Sequence, residues 1–219
     1  MQAWEKIYRE KGKFYVKPHW DLPKLVKWFK RRRVKKVLDL GCGSGRHVVY
    51  LAKQGFDVWG FDVSPEGIRV AEAWLAKEHL RAHLTVGDMT KRFPYKNNFF
   101  DAIISIQAMH HTTTGKVKGI IREIERVLRE KGMIFITVPK RILRKKGDYF
   151  VPIPKAVFIG NKFKRLEERV YIKLEGLDRG LLHFYFNKKL IKKFFTNFDI
   201  TDMHMDKLSH YCFVGIKKP

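Results

Sequence analysis

The chain has 219 residues, 45% of them hydrophobic, with 46 Lys and Arg against 22 Asp and Glu, a formal charge of +24 at pH 7. That length suits one α/β domain with some decoration, and the apolar share is ordinary for a chain that buries a core. The composition excludes a membrane-spanning helix, since no apolar run is long enough, and a disulfide or cysteine-ligated scaffold, since there are only Cys42 and Cys212.

The start, "MQAWEKIYREKGK", is charged and lacks the apolar centre of a secretory signal, so the expected setting is the cytoplasm. Residues 1–33 read as two amphipathic helices. "WEKIYRE" puts Trp4, Ile7 and Tyr8 on one face, and "DLPKLVKWFKRRR" has Asp21 as N-cap with Pro23 in the first turn. Strand and helix then alternate. "KVLDL" is a buried strand and "GRHVVYLAKQG" a helix closed by Gly55. "DVWGFD" is the second strand, and "SPEGIRVAEAWLAKEH" a helix capped by Ser64. "AHLTVGD" and "FFDAIISIQ" are the third and fourth strands. "GKVKGIIREIERVLREKG" is a helix ending at Gly132, and "MIFITVP" is the fifth strand. Such alternation implies a parallel sheet covered by helices on both faces. After Pro139 the rhythm breaks, and residues 140–180 read as basic and irregular, with Pro152 and Pro154 in an extended piece. "FNKKLIKKFFTNF" restores a helix, and "DITDMHMDK" and "HYCFVGIKK" read as two closing strands. The expected fold class is α/β, a seven-stranded, mostly parallel sheet ending in an antiparallel hairpin. One domain is expected over residues 1–219: a helical lid at 1–33, a core at 34–139, a basic substrate-side insertion at 140–186, and a closing helix and hairpin at 187–219.

The stretch "VLDLGCGSGRH" carries the first chemistry. A dinucleotide loop wants Gly-x-Gly-x-x-Gly. Gly41 and Gly43 fit, but the third position is Arg46, and the Gly-Lys-Ser/Thr of a phosphate loop is absent. Asp39 sits two residues before Gly41. A pyrophosphate has little use for that carboxylate, whereas a ligand with an ammonium group can use it directly. Together with "FDVS", "VGDM", "FDAIISIQAMHH" and "LREKGMIFITVP" in this order, the stretch resembles the motifs of class I S-adenosylmethionine-dependent methyltransferases over about residues 35 to 140. The resemblance implies a Rossmann-like three-layer α/β/α sandwich with S-adenosylmethionine as cofactor. It implies cofactor contacts from Asp39, Gly41, Cys42 and Gly43, ribose binding by Asp62 with Val63 beside it, adenine binding by Asp88 and Met89, and Gln107 near the transferable methyl. Tyr15 and Trp20, with Tyr8 and His19, are expected to close the lid over the cofactor or to form a plain helix interface.

Methyl transfer from a sulfonium is an in-line displacement from an activated donor, so the protein mainly orients the reactants and excludes water. A base is needed only where the nucleophile holds its proton tightly. His110 and His111 fall in the acceptor-facing loop, where they can bind substrate, relay a proton or cap the next helix. His183, in "LLHFYFNKK", is a third catalytic candidate, followed by Phe184, Tyr185 and Phe186, which suit either stacking on a flat acceptor or core packing. The nine histidines show no ligand spacing, so no metal is expected. "KWFKRRRVKK", residues 27–36, belongs at the sheet's N-terminal edge, away from the cofactor. "KRILRKKG" follows the fifth strand, which puts Lys140, Arg141, Arg144, Lys145 and Lys146 on the active-site side, and "NKFKR" and "NKKLIKK" extend the positive region. Basic residues interleaved with aromatics suit a phosphate backbone with a base turned inward. Thermophilic enrichment in Lys normally brings Glu with it, and here the acids do not keep pace. The expected partner is therefore structured RNA, ribosomal or transfer, methylated on a base nitrogen with Tyr185 and the basic run holding the substrate. "SIQA" at the end of the fourth strand lacks the paired prolines of many enzymes that methylate exocyclic base nitrogens. A small-molecule methyltransferase is the alternative, and a non-catalytic RNA-binding protein of this fold the third reading.

Overall fold

A computed structural model describes residues 3–13, 15–152, 162–176 and 178–219. Pro154 of the expected extended piece and Asn161 of "NKFKR" lie outside the described residues. The helices are α1 (Ala3–Lys11), α2 (Leu22–Arg31), α3 (Arg46–Lys53), α4 (Pro65–Lys77), α5 (Thr114–Val127) and α6 (Lys188–Phe194). Seven strands make the main sheet: β1 (Lys36–Leu40), β2 (Asp57–Asp62), β3 (His83–Val86), β4 (Phe100–Ile106), β5 (Leu128–Pro139), β11 (Phe198–Met205) and β12 (His210–Lys217). Their order is β11-β12-β5-β4-β1-β2-β3. Pairs β1–β2, β1–β4, β2–β3 and β4–β5 are parallel, while β12 runs against both β5 and β11. Among the described residues no helix is long and apolar enough to cross a membrane.

The period of two along each strand sorts the core into two halves. Leu38, Leu40, Ile103, Ile134, Ile136 and Phe213 pack with α5 and α6. Val37, Ala102, Ile104, Met133, Phe135 and Cys212 pack with α2, α3 and α4. This is the three-layer sandwich. The same parity puts Asp39 on the Val37 side. Helix α2 holds its place through Leu22, Leu25, Val26 and Phe29, all buried, each contributing about 1.5–3 kcal/mol of apolar burial. Ser64 caps α4, its hydroxyl accepting from the Gly67 amide at 3.0 Å.

Three expectations need correction. Asp21 stands before α2 in helical geometry (φ −78°, ψ −16°) and its side chain caps nothing. It accepts instead from His204 Nε2 at 3.0 Å. Helix α5 stops at Val127, five residues before Gly132. Leu128 is extended (φ −83°, ψ 131°), fully buried and paired with Phe100. Burying Leu128 against the sheet outweighs the helical propensity of "REK". The basic stretch after Pro139 is not irregular. Its described residues form β6 (Leu143–Lys146), β7 (Tyr149–Pro152), β8 (Phe163–Arg165), β9 (Val170–Lys173) and β10 (Leu182–Phe184), a second, antiparallel sheet in the order β10-β9-β8-β7-β6. Gly147, at φ +59°, and Asp148 form the two-residue turn joining β6 to β7. Leu143, Phe163, Tyr171 and Tyr185 make the small core of this sheet, with Phe150 against it.

Candidate active site

The C-terminal ends of β1, β2, β4 and β5 open onto a cavity of about 980 Å³. In open α/β sheets these ends are where ligands bind. The second sheet and the N-terminal segment complete its walls.

The glycine loop begins directly after β1. Gly41 has φ +81° and Gly43 φ +52°, and a Cβ on either would overlap a neighbour, Ala108 for Gly41 and the Tyr8 hydroxyl for Gly43. Asp62 anchors the loop from the end of β2. It accepts from the amides of Gly43 at 2.8 Å and Ser64 at 2.9 Å. Burial pushes its carboxyl upward, and these backbone bonds oppose the rise. Asp62 and Val63 face the cavity beside Gly41 and Cys42. Asp88 is exposed at the rim and accepts from the Thr90 amide at 2.8 Å, and Met89 lines the wall next to it. Gln107 directly follows β4 with φ +57°, a strained geometry for a non-glycine residue, held by its amide donating to Thr137 Oγ1 at 2.8 Å. It too lines the cavity.

Asp39 and Gly43 lie behind the wall. Asp39 is fully buried, and neither carboxylate oxygen finds a hydrogen-bond partner among the described residues. Burial pushes its carboxyl up to about 8, with Arg46 opposing and Asp62 adding to the rise. His47 Nδ1 is 3.7 Å away, but burial holds that imidazole well below its usual range, so the two do not form an ion pair. A buried carboxyl without a donor fits a ligand that brings an ammonium group to this loop.

The lid covers both ends of the cavity. Glu5 of α1 accepts from the Ser64 hydroxyl at 2.6 Å and the Glu66 amide at 3.1 Å, tying α1 to the N-terminus of α4. Tyr8 rests on the glycine loop, and Trp4 meets the His111 ring edge-on at 5.0 Å. Tyr15 and Trp20 are half exposed at the mouth. The Arg46 guanidinium lies 5.0 Å from the Tyr15 ring.

At the opposite end, "LHFYF" alternates across β10. His183 and Tyr185 face the cavity, while Phe184 and Phe186 enter the main core. The Phe184 amide donates to the His110 carbonyl at 2.8 Å, locking β10 to the loop after β4. His110, His111 and His183 therefore meet, with ring centres 4.0 Å (110–111), 4.8 Å (111–183) and 5.8 Å (110–183) apart. Burial lowers His111 to about 4 and the other two well below their ordinary range. Burial likewise raises the Tyr185 phenol.

The basic run divides. Lys140 lines the cavity, whereas Arg141 points its guanidinium at the Tyr171 hydroxyl at 3.4 Å, and Arg144, Lys145 and Lys146 stand exposed on the edge strand β6. None of these four belongs to the cavity wall. Trp4, Ser44, Arg46, His47 and the Lys173–Asp178 ion pair do belong to it, and sequence reasoning had not selected them. Arg46 and His47 directly follow the glycine loop, which was their one signal. The others depend on tertiary contacts.

Residues 37–132 match the family model described as "Methyltransferase domain". Norajmaline N-methyltransferase of Rauvolfia serpentina is 33% identical over 99 residues, covering 44% of this chain and 33% of its own. The tRNA (carboxymethyluridine(34)-5-O)-methyltransferase of Arabidopsis thaliana is 30% identical over 142 residues, covering 61% of this chain and 33% of its own. The aligned stretches span less than half the length of the curated relatives they match. An S-adenosylmethionine-dependent methyltransferase from Clostridium acetobutylicum ATCC 824 shares the fold over 100% of both chains, with a TM-score of 0.67 at 13% identity. Motifs, topology and the matched domain agree: residues 37–132 match a methyltransferase domain, on a fold that the chain shares with an S-adenosylmethionine-dependent methyltransferase.

Proposed function

We propose that the chain transfers a methyl group from S-adenosylmethionine to a small, largely apolar acceptor enclosed between the main sheet and the second sheet. The observation that carries this is the cavity wall. Around Gln107 it is mostly imidazole, aromatic and aliphatic groups, with Lys140 its one basic residue from the 140–146 run and Lys173 neutralised by Asp178, while Arg144, Lys145 and Lys146 lie outside it. Such a wall suits an uncharged acceptor better than a phosphate backbone. The cofactor supplies an activated methyl on sulfur. The chain's residues bind and orient: Asp62 offers its remaining lone pairs to ribose hydroxyls, Asp88 and Met89 hold the base, and Asp39 supplies a counter-charge for the ammonium. Trp4, Tyr8, Tyr15 and Trp20 exclude water. Burial keeps His110, His111 and His183 neutral, and their imidazoles line the cavity on the acceptor's side. The name of the norajmaline relative, an N-methyltransferase of a small molecule, supports this reading.

A second reading, methylation of structured RNA, is favoured by the +24 charge and by the exposed basic hairpin at β6–β7, and the plant tRNA relative supports it. Tritiated methyl transfer into the small-molecule, RNA and protein fractions of an extract from cells lacking the protein separates the two. Counts in the small-molecule fraction are expected, and counts confined to RNA would replace the first reading with the second.

A further inference from the structure

We infer that His110, His111 and His183 form a site for one divalent transition-metal ion of the zinc type, with an open position facing the cavity. The three side chains come from two places, the loop after β4 and strand β10, and each offers a ring nitrogen within 4.8 Å of the others. Small side-chain rotations bring such nitrogens to the roughly 2.0–2.1 Å that a zinc–imidazole bond needs. His110 Nδ1 and His183 Nε2 are buried and find no hydrogen-bond partner among the described residues. Buried polar nitrogens are nearly always partnered, so two orphans side by side call for an acceptor of lone pairs. His111 is fixed differently. Its Nδ1 lies 3.1 Å from the Leu182 carbonyl, and the Gln107 carbonyl also faces the ring; the tautomer that donates from Nδ1 to Leu182 carries its lone pair on Nε2. A backbone carbonyl holding the far nitrogen is the usual support of a metal-ligating histidine.

Three imidazoles select zinc, cobalt, nickel or copper over magnesium or calcium, which prefer oxygen. Neighbouring groups are already engaged. Lys173 pairs with Asp178, and His210 Nδ1 lies 3.0 Å from Asp206. His19, Asp206 and Cys212 also converge, but Asp206 already accepts from the amides of Leu208 and His210. With three ligands the ion keeps a position open toward Gln107, where a hydroxyl or thiol of the acceptor would bind and release its proton more readily. That consequence rests on the methyltransferase reading, whereas the binding of the ion does not.

The test is titration of Co²⁺ into the full chain after dialysis against chelator, followed by visible ligand-field absorption and competition with Zn²⁺. One ion per chain is expected, with a dissociation constant for Zn²⁺ of about 1 μM or tighter. His110→Ala, His111→Ala and His183→Gln should each weaken it at least about tenfold, while His79→Asn, at an exposed histidine away from the converging groups, leaves it unchanged. S-adenosylhomocysteine affinity is measured in parallel on every variant as the check of folding and, separately, of the cofactor site. Less than one ion bound per chain, or one ion that all three substitutions leave in place, overturns the site even where the cofactor binds normally.

Discussion

Asp62 uses its carboxylate twice, holding the glycine loop through two backbone amides and facing the cavity with what remains. Asp62→Asn turns an N–H toward donors and should weaken S-adenosylhomocysteine binding by about 10- to 100-fold, in line with the roughly 1.5–3 kcal/mol of a hydrogen bond to a charged group. Calorimetry reads this directly, and unchanged affinity would remove Asp62 from the site. Asp39 makes a pH-dependent prediction. An unfolded aspartate titrates near 3.9, whereas Asp39 in the fold titrates at about 8. Between these values the folded chain keeps a proton that the unfolded chain has lost. Stability without cofactor should therefore fall as pH rises from about 4 and level off above about 8. Asp39→Asn should flatten that fall in melting curves. An ammonium ligand favours the ionised carboxylate, so cofactor affinity should rise over the same window in the parent and not in the variant. Asp39 was legible from its place before the loop and on a buried strand, but its lack of a hydrogen-bond donor was not, because that depends on which tertiary neighbours surround the carboxyl.

At the scale of elements, the core over residues 35–140 was legible because β1, β4 and the latter half of β5 are apolar runs buried on both faces, and Gly55 and Ser64 mark helix ends. The second sheet was not. Its strands are three or four residues long, and β6 alternates too briefly, with exposed basic residues, to announce itself. The Gly147–Asp148 turn was the one local signal. The meeting of His183 with His110 and His111 lay further beyond reach, since it depends on the Phe184 amide finding the His110 carbonyl across 73 intervening residues. The lid offers a test of its own. Glu5 is the link from α1 to Ser64 and Glu66, so Glu5→Gln should speed hydrogen exchange in α1 and raise the off-rate of S-adenosylhomocysteine severalfold. The sheet should keep its protection. Equal exchange in the variant and the parent would mean that α1 is held by Trp4, Ile7 and Tyr8 alone.

For the whole molecule, the charge and the cavity make separable demands. Any binding of a polyanion by a chain of +24 should weaken steeply with salt. Replacing Arg144, Lys145 and Lys146 together by Ala should lower the slope of log affinity for total RNA against log salt by about 2, near 0.7 for each phosphate no longer neutralised. Methyl transfer to a small acceptor should be unaffected, because these side chains do not line the cavity. If transfer falls in step with RNA affinity, the acceptor is the RNA.

Helix α1 touches both halves of the cavity, Tyr8 over the glycine loop and Trp4 against His111. If this nine-residue helix swings away as one body, both sides of the cavity open together. On the proposed function, spent donor and methylated product would then leave through the same event. In stopped-flow measurements their release should follow one common rate constant, slower than the chemical step, and loosening α1 should accelerate both together.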